Sequence, residues 1–231
     1  MTPVLELTGV SRDYRALRPL RIAELRLAAG DRVAILGLDA VAAEVFVNLA
    51  TGAALPDAGQ VVLFGRPTSA IGDGAEWLAT VDRVGIVSQR AVLLEQLTVI
   101  QNLAMPFTLA IEPPSSGVRD RAAALAREVG LPETSWDAPV SQLDAAGRVR
   151  VRFGRAIALD PAVLLLEHIS ASVARDGVET LGADMRSVAG GRGAALVAVS
   201  ADETFARAVA SRVLTLEPST GRLKEQRRRW F

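Results

Sequence analysis

The feature that most constrains the fold is residues 33–52, which read VAILGLDAVAAEVFVNLATG. The apolar residues 33–36 predict a short buried strand, and Gly37 predicts a turn directly after it. From Val41 onward an apolar residue recurs every four positions, which is the spacing of one helical face, and Gly52 ends the helix. The stretch therefore predicts a buried strand, a tight turn and an amphipathic helix.

Loops that bind phosphate are built on this same frame and have the pattern G-x-x-x-x-G-K-[ST]. Counted from Gly37, the second glycine is replaced by Ala42, the lysine by Ala43 and the hydroxyl residue by Glu44. Lys224 is the only lysine of the chain, so the sequence has no lysine in or near this loop. Taken alone, the stretch is also compatible with a generic strand, turn and helix that bind nothing.

The composition excludes several classes of protein. The 231 residues are half hydrophobic, which suffices for one α/β domain with a sizeable core. The 26 basic side chains balance the 26 acidic ones, which argues against nucleic-acid binding. No cysteine is present, so disulfides and thiolate metal sites are excluded. No signal peptide or membrane-spanning stretch is recognisable, which predicts a cytoplasmic protein.

Short apolar strands and amphipathic helices alternate along the rest of the chain. Strands are predicted at residues 4–10, 20–27, 60–65, 84–89, 163–166, 194–199 and 213–216, and helices at 97–110, 118–129, 143–158, 177–188 and 203–210. This order predicts an α/β fold with a mostly parallel sheet and flanking helices. The strands at the N-terminus and around Val61 predict an additional antiparallel β layer, and residues 92–158 an inserted α-helical subdomain within a single domain, residues 1–231.

Several segments resemble, in order, those of the ATP-binding subunit of ABC transporters along essentially the whole chain. They are Tyr14, where the family has an aromatic residue that stacks on adenine, residues 29–37 before the phosphate loop, VGIVSQ (84–89), LTVIQNLAMP (97–106), RVRVRFGRA (148–156) and LDPAVLLL (159–166). The length resembles that of subunits of the lipoprotein-releasing type. The resemblance implies a P-loop-type α/β fold.

The resemblance also implies ligands and partners. Its cofactors would be ATP and Mg²⁺, and its partners a membrane-spanning transporter subunit and a second ATP-binding subunit, either a second copy or an intact homologue. Such a subunit would be peripheral at the inner face of the membrane. The segment at residues 97–106 would lie near the groove that receives the cytoplasmic helix of the membrane subunit.

The chain departs from the family pattern at its catalytic positions. The positions matched to the phosphate loop include Gly37, Asp39, Ala42, Ala43, Glu44 and Val45, and the family signature Leu-Ser-Gly-Gly-Gln is replaced by Leu143, Asp144, Ala145, Ala146 and Gly147. Glu167 aligns with the aspartate that orders magnesium, and His168 with the glutamate that polarises water. Gln89 remains as the glutamine that senses metal and water. Ala201 aligns with the switch histidine, and Ala174 with an aspartate of the family.

The loop substitutions predict weak or absent nucleotide binding. Ala43 removes the cation, and Ala42 adds a Cβ where the backbone curls close to phosphate. The carboxylate of Glu44 near a triphosphate costs roughly 4 kcal/mol for one like-charge pair at about 4 Å and a dielectric of about 20. This penalty corresponds to on the order of a thousandfold in affinity. Mg²⁺ held by Glu44 would reduce the repulsion without replacing the lysine, and no metal site is predicted.

The signature substitution predicts that the helix after residue 143 is capped by the chain itself. Asp144 lies at the expected N-cap, where its carboxylate accepts a backbone hydrogen bond at the position that would otherwise bind an anion. In the family, the loop of one subunit faces the signature of the other. Since both halves differ here, neither site that this chain helps to form would have the full set of family groups.

Three functions remain open from the sequence. The leading hypothesis is a degenerate ABC subunit, a pseudo-ATPase with a structural or regulatory role beside a catalytic homologue. The second is an active but divergent ATPase that uses Glu167 for magnesium and His168 for water. The third is a binding module on the same fold outside transport. Two features have alternatives of their own: His168 is either a satisfied structural residue or a base, and the tail 222–231 is either a solvated end or a contact with anionic lipid.

Overall fold

The computed structural model describes residues 2–226. The strands are β1 (Leu5–Arg12), β2 (Leu20–Leu27), β3 (Arg32–Leu36), β4 (Ala58–Leu63), β5 (Arg66–Pro67), β6 (Val84–Ser88), β7 (Val163–Glu167), β8 (Ala195–Val199), β9 (Arg212–Glu217) and β10 (Arg222–Glu225). The helices are α1 (Ala40–Ala50), α2 (Gly74–Val81), α3 (Val99–Ala104), α4 (Ser116–Glu128), α5 (Ala145–Ile157), α6 (Arg175–Gly191) and α7 (Glu203–Val209).

A six-stranded sheet forms the centre of the fold, in the order β10-β9-β3-β8-β7-β6. The five strands from β9 to β6 are parallel, and β10 pairs antiparallel with β9. A parallel sheet places the carboxyl ends of its strands at one edge, where α/β proteins bind ligands. The ends of β3, β6 and β7 therefore approach the same region of the molecule.

The alternation of side chains along β3 shows why the central sheet is buried on both faces. Val33 and Ile35 pack into the core shared with α1 and the N-terminal strands, whereas Ala34 and Leu36 pack into the core on the opposite face. Both faces of a parallel sheet are normally covered, so its strands are apolar throughout. The apolar run that begins at Val33 is explained by this double burial.

The predicted N-terminal antiparallel layer is confirmed. Its four strands have the order β2-β1-β4-β5, and every pairing between them is antiparallel. Leu5 and Leu7 of β1 are fully buried, whereas Thr8 is exposed, which is the alternation expected for a layer with one face on the core. With the central sheet and its helices, this layer confirms the predicted α/β class.

The structure differs from the sequence prediction in three places. The helix predicted at residues 97–110 is limited to α3, because Pro106 lacks a backbone N–H and its ring clashes with the preceding turn. The helix α2 was not predicted from the sequence. The tail was predicted as a solvated end, but Arg222–Glu225 forms β10 on the edge of the sheet. Residues 227–231, which include the terminal aromatic residues, lie outside the described residues.

The remaining helices follow their predicted positions closely. The helices α3, α4 and α5 lie within the predicted subdomain 92–158, whose boundaries stay a prediction. Among the described residues, none of the helices has the length and apolar character needed to cross a membrane.

We expect Gly85→Ala to destabilise the fold, because a Cβ at this position of β6 would lie 2.5 Å from the Ala156 carbonyl oxygen and 2.7 Å from Leu164 Cδ2. Overpacking of this kind costs about 1–3 kcal/mol, which corresponds to a fall in Tm of about 2–12 °C. Thermal unfolding measures the effect. The matched control is Gly117→Ala, at an exposed position of α4 with open space around it, which should keep or raise Tm. Equal Tm values for Gly85→Ala and wild type would contradict the packing described here.

Candidate functional site

An open cleft of about 490 Å³ lies beside the carboxyl ends of β3, β6 and β7. It is lined by residues from the loop before α1, from the ends of these strands and from the segments that follow them: Leu38, Asp39, Ala40, Val41, Glu44, Ser88, Gln89, Arg90, Glu167, His168, Ala171 and Ala201. Some of the residues predicted from four separate segments of the sequence therefore meet at one place: Asp39, Glu44, Gln89, Glu167, His168 and Ala201.

Asp39, in the turn before α1, accepts hydrogen bonds from the backbone at the start of that helix. Gly37 has a φ of +94°, a conformation that favours glycine. The helix then begins at Ala40, and the carboxylate of Asp39 accepts a hydrogen bond from the Ala42 N–H at 2.7 Å. The Ala43 N–H donates to the Asp39 carbonyl oxygen at 2.9 Å. Two backbone donors at the start of this helix therefore have acceptors within the protein.

Only part of the predicted loop faces the cleft. Asp39 and Glu44 line it, but Ala42 and Ala43 are 6% and 0% exposed and pack into the core below α1. Val45 also packs against this core, and Gly37 is not among the lining residues. At the position of the missing lysine, the side chain is therefore directed into the core.

An ion cluster that the sequence prediction missed joins three elements inside the cleft. Arg90 Nη1 lies 2.5 Å from Glu44 Oε1 on α1, and Arg90 Nη2 lies 2.5 Å from Glu167 Oε2 at the end of β7. Arg90 Nε also lies 3.4 Å from Ser88 Oγ. The only signal for Arg90 in the sequence was its position directly after Gln89. A single guanidinium therefore contacts both Glu167, which the resemblance aligns with the magnesium-ordering aspartate, and Glu44, which replaces the hydroxyl residue of the loop.

His168 lies beside this cluster in a constrained conformation. Its φ is +45°, which few residues other than glycine adopt, although histidine does so more often than most. Its backbone N–H donates to the Val199 carbonyl oxygen at 2.9 Å, but its buried Nε2 has no hydrogen-bond partner among residues 2–226. No protein group within residues 2–226 therefore satisfies this ring nitrogen. Strained residues with unpaired polar atoms are often found at functional sites.

Gln89 and Ala201 also line the cleft. The Gln89 side chain is exposed, and its Nε2 donates a long hydrogen bond of 3.4 Å to Ser172 Oγ. Ala201 follows β8 and Ser200 directly and also lines the cleft. Its methyl group supplies neither a donor nor an acceptor to the cleft.

The five residues of the altered signature lie at the start of α5 and do not line the cleft. The predicted cap is present, because Asp144 Oδ1 accepts a hydrogen bond from the Gly147 N–H at 2.6 Å. Leu143 packs partly against the core, and Gly147 is buried. Ala145 and Ala146 form the first turn of the helix and carry no polar side-chain group.

Tyr14 lies in the segment after β1 and packs partly against the core that contains α1. Burial raises the pKa of its phenol, and the negative charge of Asp39 adds to this effect. Tyr14 does not line the cleft.

A second, smaller groove of about 290 Å³ is lined by Ile86, Ala91, Met105, Pro106, Arg152, Arg155 and Ala156. Arg152 Nε donates to the Ala91 carbonyl oxygen at 2.9 Å, and Arg155 Nη1 donates to the Val92 carbonyl oxygen at 2.7 Å. Burial lowers the pKa of both guanidinium groups, and the charge of Arg152 also lowers that of Arg155. Two arginines of α5 therefore bind the segment that follows β6.

The family model described as ABC transporter matches residues 20–169 of this chain, which is more than half of its length. The chain therefore belongs to the ABC transporter family. The lipoprotein-releasing system ATP-binding protein LolD of Maricaulis maris is 31% identical over 216 residues, which cover 92% of this chain and 93% of that protein.

A longer relative is the methionine import ATP-binding protein MetN of Brucella abortus, which is 26% identical over 216 residues. The matched region is 93% of this chain but 58% of MetN, so the chain spans little more than half the length of that relative. Among solved structures, the dimeric MJ0796 cassette of a bacterial ABC transporter superposes with a TM-score of 0.77, at 22% identity over 98% of this chain and all of that chain. This likeness confirms the fold predicted from the sequence.

We expect that Ala43→Lys alone does not create a nucleotide site. The Asp39 carboxylate still holds the Ala42 N–H, and Glu44 still places a negative charge in the cleft. An unpaired lysine at this fully buried position should also lower Tm, by about 6–20 °C for a cost of about 3–5 kcal/mol. Calorimetry with MgATP and thermal unfolding measure the two effects.

The control for Ala43→Lys is Val41→Lys, which adds the same charge two residues earlier on α1, at a side chain that is 58% exposed. Its Tm should equal that of wild type. A Kd for MgATP in the micromolar range after Ala43→Lys would contradict the expectation.

Proposed function

We propose that this protein is a catalytically inactive ATP-binding-type subunit of an ABC transport complex, with a structural or regulatory role. The observation that carries the proposal is the hydrogen bond of 2.7 Å from the Ala42 N–H to the Asp39 carboxylate. At a helix start that binds phosphate, such backbone donors point to the ligand. Here an internal carboxylate takes that position.

The residues of the cleft do not fit MgATP. Phosphate binding at such a loop depends on a lysine and on backbone donors, and magnesium binding depends on a hydroxyl and a carboxylate. In this cleft, the lysine position is Ala43 and faces the core, while the hydroxyl position is Glu44 and pairs with Arg90. No group of three or more metal-ligating side chains was found within residues 2–226. Three carboxylates and one guanidinium leave an excess of negative charge beside any triphosphate.

The start of α5 supports the same proposal. In the family this segment carries the signature that faces the phosphate loop of the partner subunit. The Gly147 N–H, which would face a nucleotide of a partner subunit, donates to Asp144 Oδ1. The carboxylate both occupies this donor and repels a phosphate. We propose that the chain pairs with a second ATP-binding subunit that is an intact homologue, since two copies of this chain would bring the carboxylates of the cleft opposite the carboxylate of Asp144.

The groove beside α5 supports docking to a membrane-spanning subunit. It combines an apolar floor, which includes Met105 and Pro106, with the guanidinium groups of Arg152 and Arg155, for which no salt bridge is found among the described residues. This combination suits an amphipathic segment with an acidic residue. Such a docking role would keep the protein at the cytoplasmic side of a membrane.

The alternative function is a divergent ATPase, and one observation favours it. His168 lines the cleft next to Glu167 in the sequence, and its buried Nε2 has no hydrogen-bond partner among residues 2–226. A histidine in such a position is able to act as a general base when a substrate is bound. This function requires nucleotide binding, which the cleft does not favour.

For the proposed function, we expect purified protein to bind MgATP with a Kd above about 1 mM, because the loss of the lysine and the like charges remove several kcal/mol of binding energy. Isothermal titration calorimetry measures this affinity, and LolD of Maricaulis maris serves as the positive control on the same instrument. A Kd in the micromolar range for this chain would reject the proposal.

We also expect that His168→Ala leaves the steady-state release of phosphate at the background value of wild type. Both proteins are compared at equal concentration in the presence of magnesium and ATP. Turnover by wild type that exceeds background and falls at least about tenfold in His168→Ala would instead favour the divergent ATPase, since general-base catalysis contributes about 10²–10⁴-fold.

A further inference from the structure

Arg90 supplies the only guanidinium among the residues that line the cleft. Arg90 follows β6 directly after Gln89, and its two terminal nitrogens each lie 2.5 Å from a carboxylate oxygen, one of Glu44 and one of Glu167. The two carboxylates come from different elements, α1 and β7. The ion cluster is therefore a cross-link between three parts of the fold that are distant in sequence.

The burial of Glu167 distinguishes this cluster from a surface ion pair. Its side chain is only 9% exposed, whereas those of Arg90 and Glu44 are 45% and 44% exposed. A buried carboxylate needs a cation or several hydrogen-bond donors, and its only hydrogen-bond donor among residues 2–226 is Arg90. A second carboxylate beside it increases this requirement.

Two converging carboxylates are the ligands that Mg²⁺ takes from proteins, with water or phosphate completing its coordination. We infer that Arg90 is a resident substitute for a divalent cation, which neutralises Glu44 and Glu167 and makes this site independent of metal. The inference rests on the proposed function, because a site that bound MgATP would need Arg90 to leave. Because a side chain takes the place of the metal ion, the cross-link between α1, β7 and the segment after β6 does not depend on the metal concentration.

The position of Arg90 gives this cross-link a consequence outside the cleft. The segment after β6 is held on one side by the ion cluster and on the other by α5, through the bonds from Arg152 to the Ala91 carbonyl oxygen and from Arg155 to the Val92 carbonyl oxygen. The Ala91 N–H also donates to the Ser88 carbonyl oxygen at 3.1 Å. The groove beside α5 is thus kept in one arrangement without nucleotide or metal.

The test compares thermal unfolding of wild type and Arg90→Ala, as the full chain without nucleotide, in EDTA and in millimolar MgCl₂ or MnCl₂. Wild type should show the same Tm in all three solutions. In EDTA, Arg90→Ala should unfold about 4–12 °C lower, because the buried Glu167 loses its cation. Metal should then bind the released carboxylates and raise the Tm of this variant by about 3–6 °C at roughly ten times its Kd.

Three controls make the result specific. Arg90→Lys keeps one positive charge and should show no response to metal. The double variant Glu44→Gln with Arg90→Ala removes one ligand and should lose the response. Arg66→Ala breaks the ion pair with Glu76 away from the cleft and should show no response either.

Two outcomes would overturn the inference: a Tm of wild type that rises with Mg²⁺, or a folded Arg90→Ala without any response to metal. If Arg90→Ala does not fold in EDTA, its recovery of a folded state in MnCl₂ supports the inference, and its failure to recover while Arg90→Lys folds argues against it. Because all samples lack nucleotide, these results are independent of the calorimetric test of ATP binding.

Discussion

A helix leaves the N–H groups of its first turn without partners, and this constraint organises the functional region of the protein. Four helices, α1, α2, α5 and α7, begin after an aspartate whose carboxylate accepts one of these N–H groups. At α2 and α7 such a cap is ordinary helix stabilisation. At α1 and α5 the same cap lies where members of this fold would present free donors to phosphate. The proposed loss of phosphate binding rests on the caps at these two places.

Charge in the cleft follows the same principle of internal compensation. The Asp39 carboxylate accepts a hydrogen bond from the Ala42 N–H, and Glu44 and Glu167 are compensated by Arg90. In a nucleotide-binding site these charges would be balanced by magnesium, and the donors by phosphate. In this protein the compensation comes from its own side chains. The fold consequently keeps its ordered cleft without requiring the ligand, which is consistent with a role as a partner rather than as a catalyst.

The cleft and the groove are connected by a short segment of chain. Gln89 and Arg90 face the cleft, while Ala91 and Val92 accept hydrogen bonds from the arginines of α5. Arg90 and the two arginines of α5 therefore hold this segment from two sides. If a membrane-spanning subunit docks at the groove, it would contact residues that directly follow those of the cleft.

The sequence by itself determined the α/β class, the antiparallel layer and the position of the Asp144 cap, because each of these follows from local periodicity and local hydrogen bonding. It also brought Asp39, Glu44, Gln89, Glu167 and His168 forward as site residues through the ordered resemblance. The role of Arg90 was decided only by the tertiary structure, since its two partners are 46 and 77 positions away in the sequence and meet it through the packing of three parallel strands and α1. The burial of Ala43 and the unpaired Nε2 of His168 were decided in the same way, because the direction of a side chain and its neighbours depend on which faces pack together.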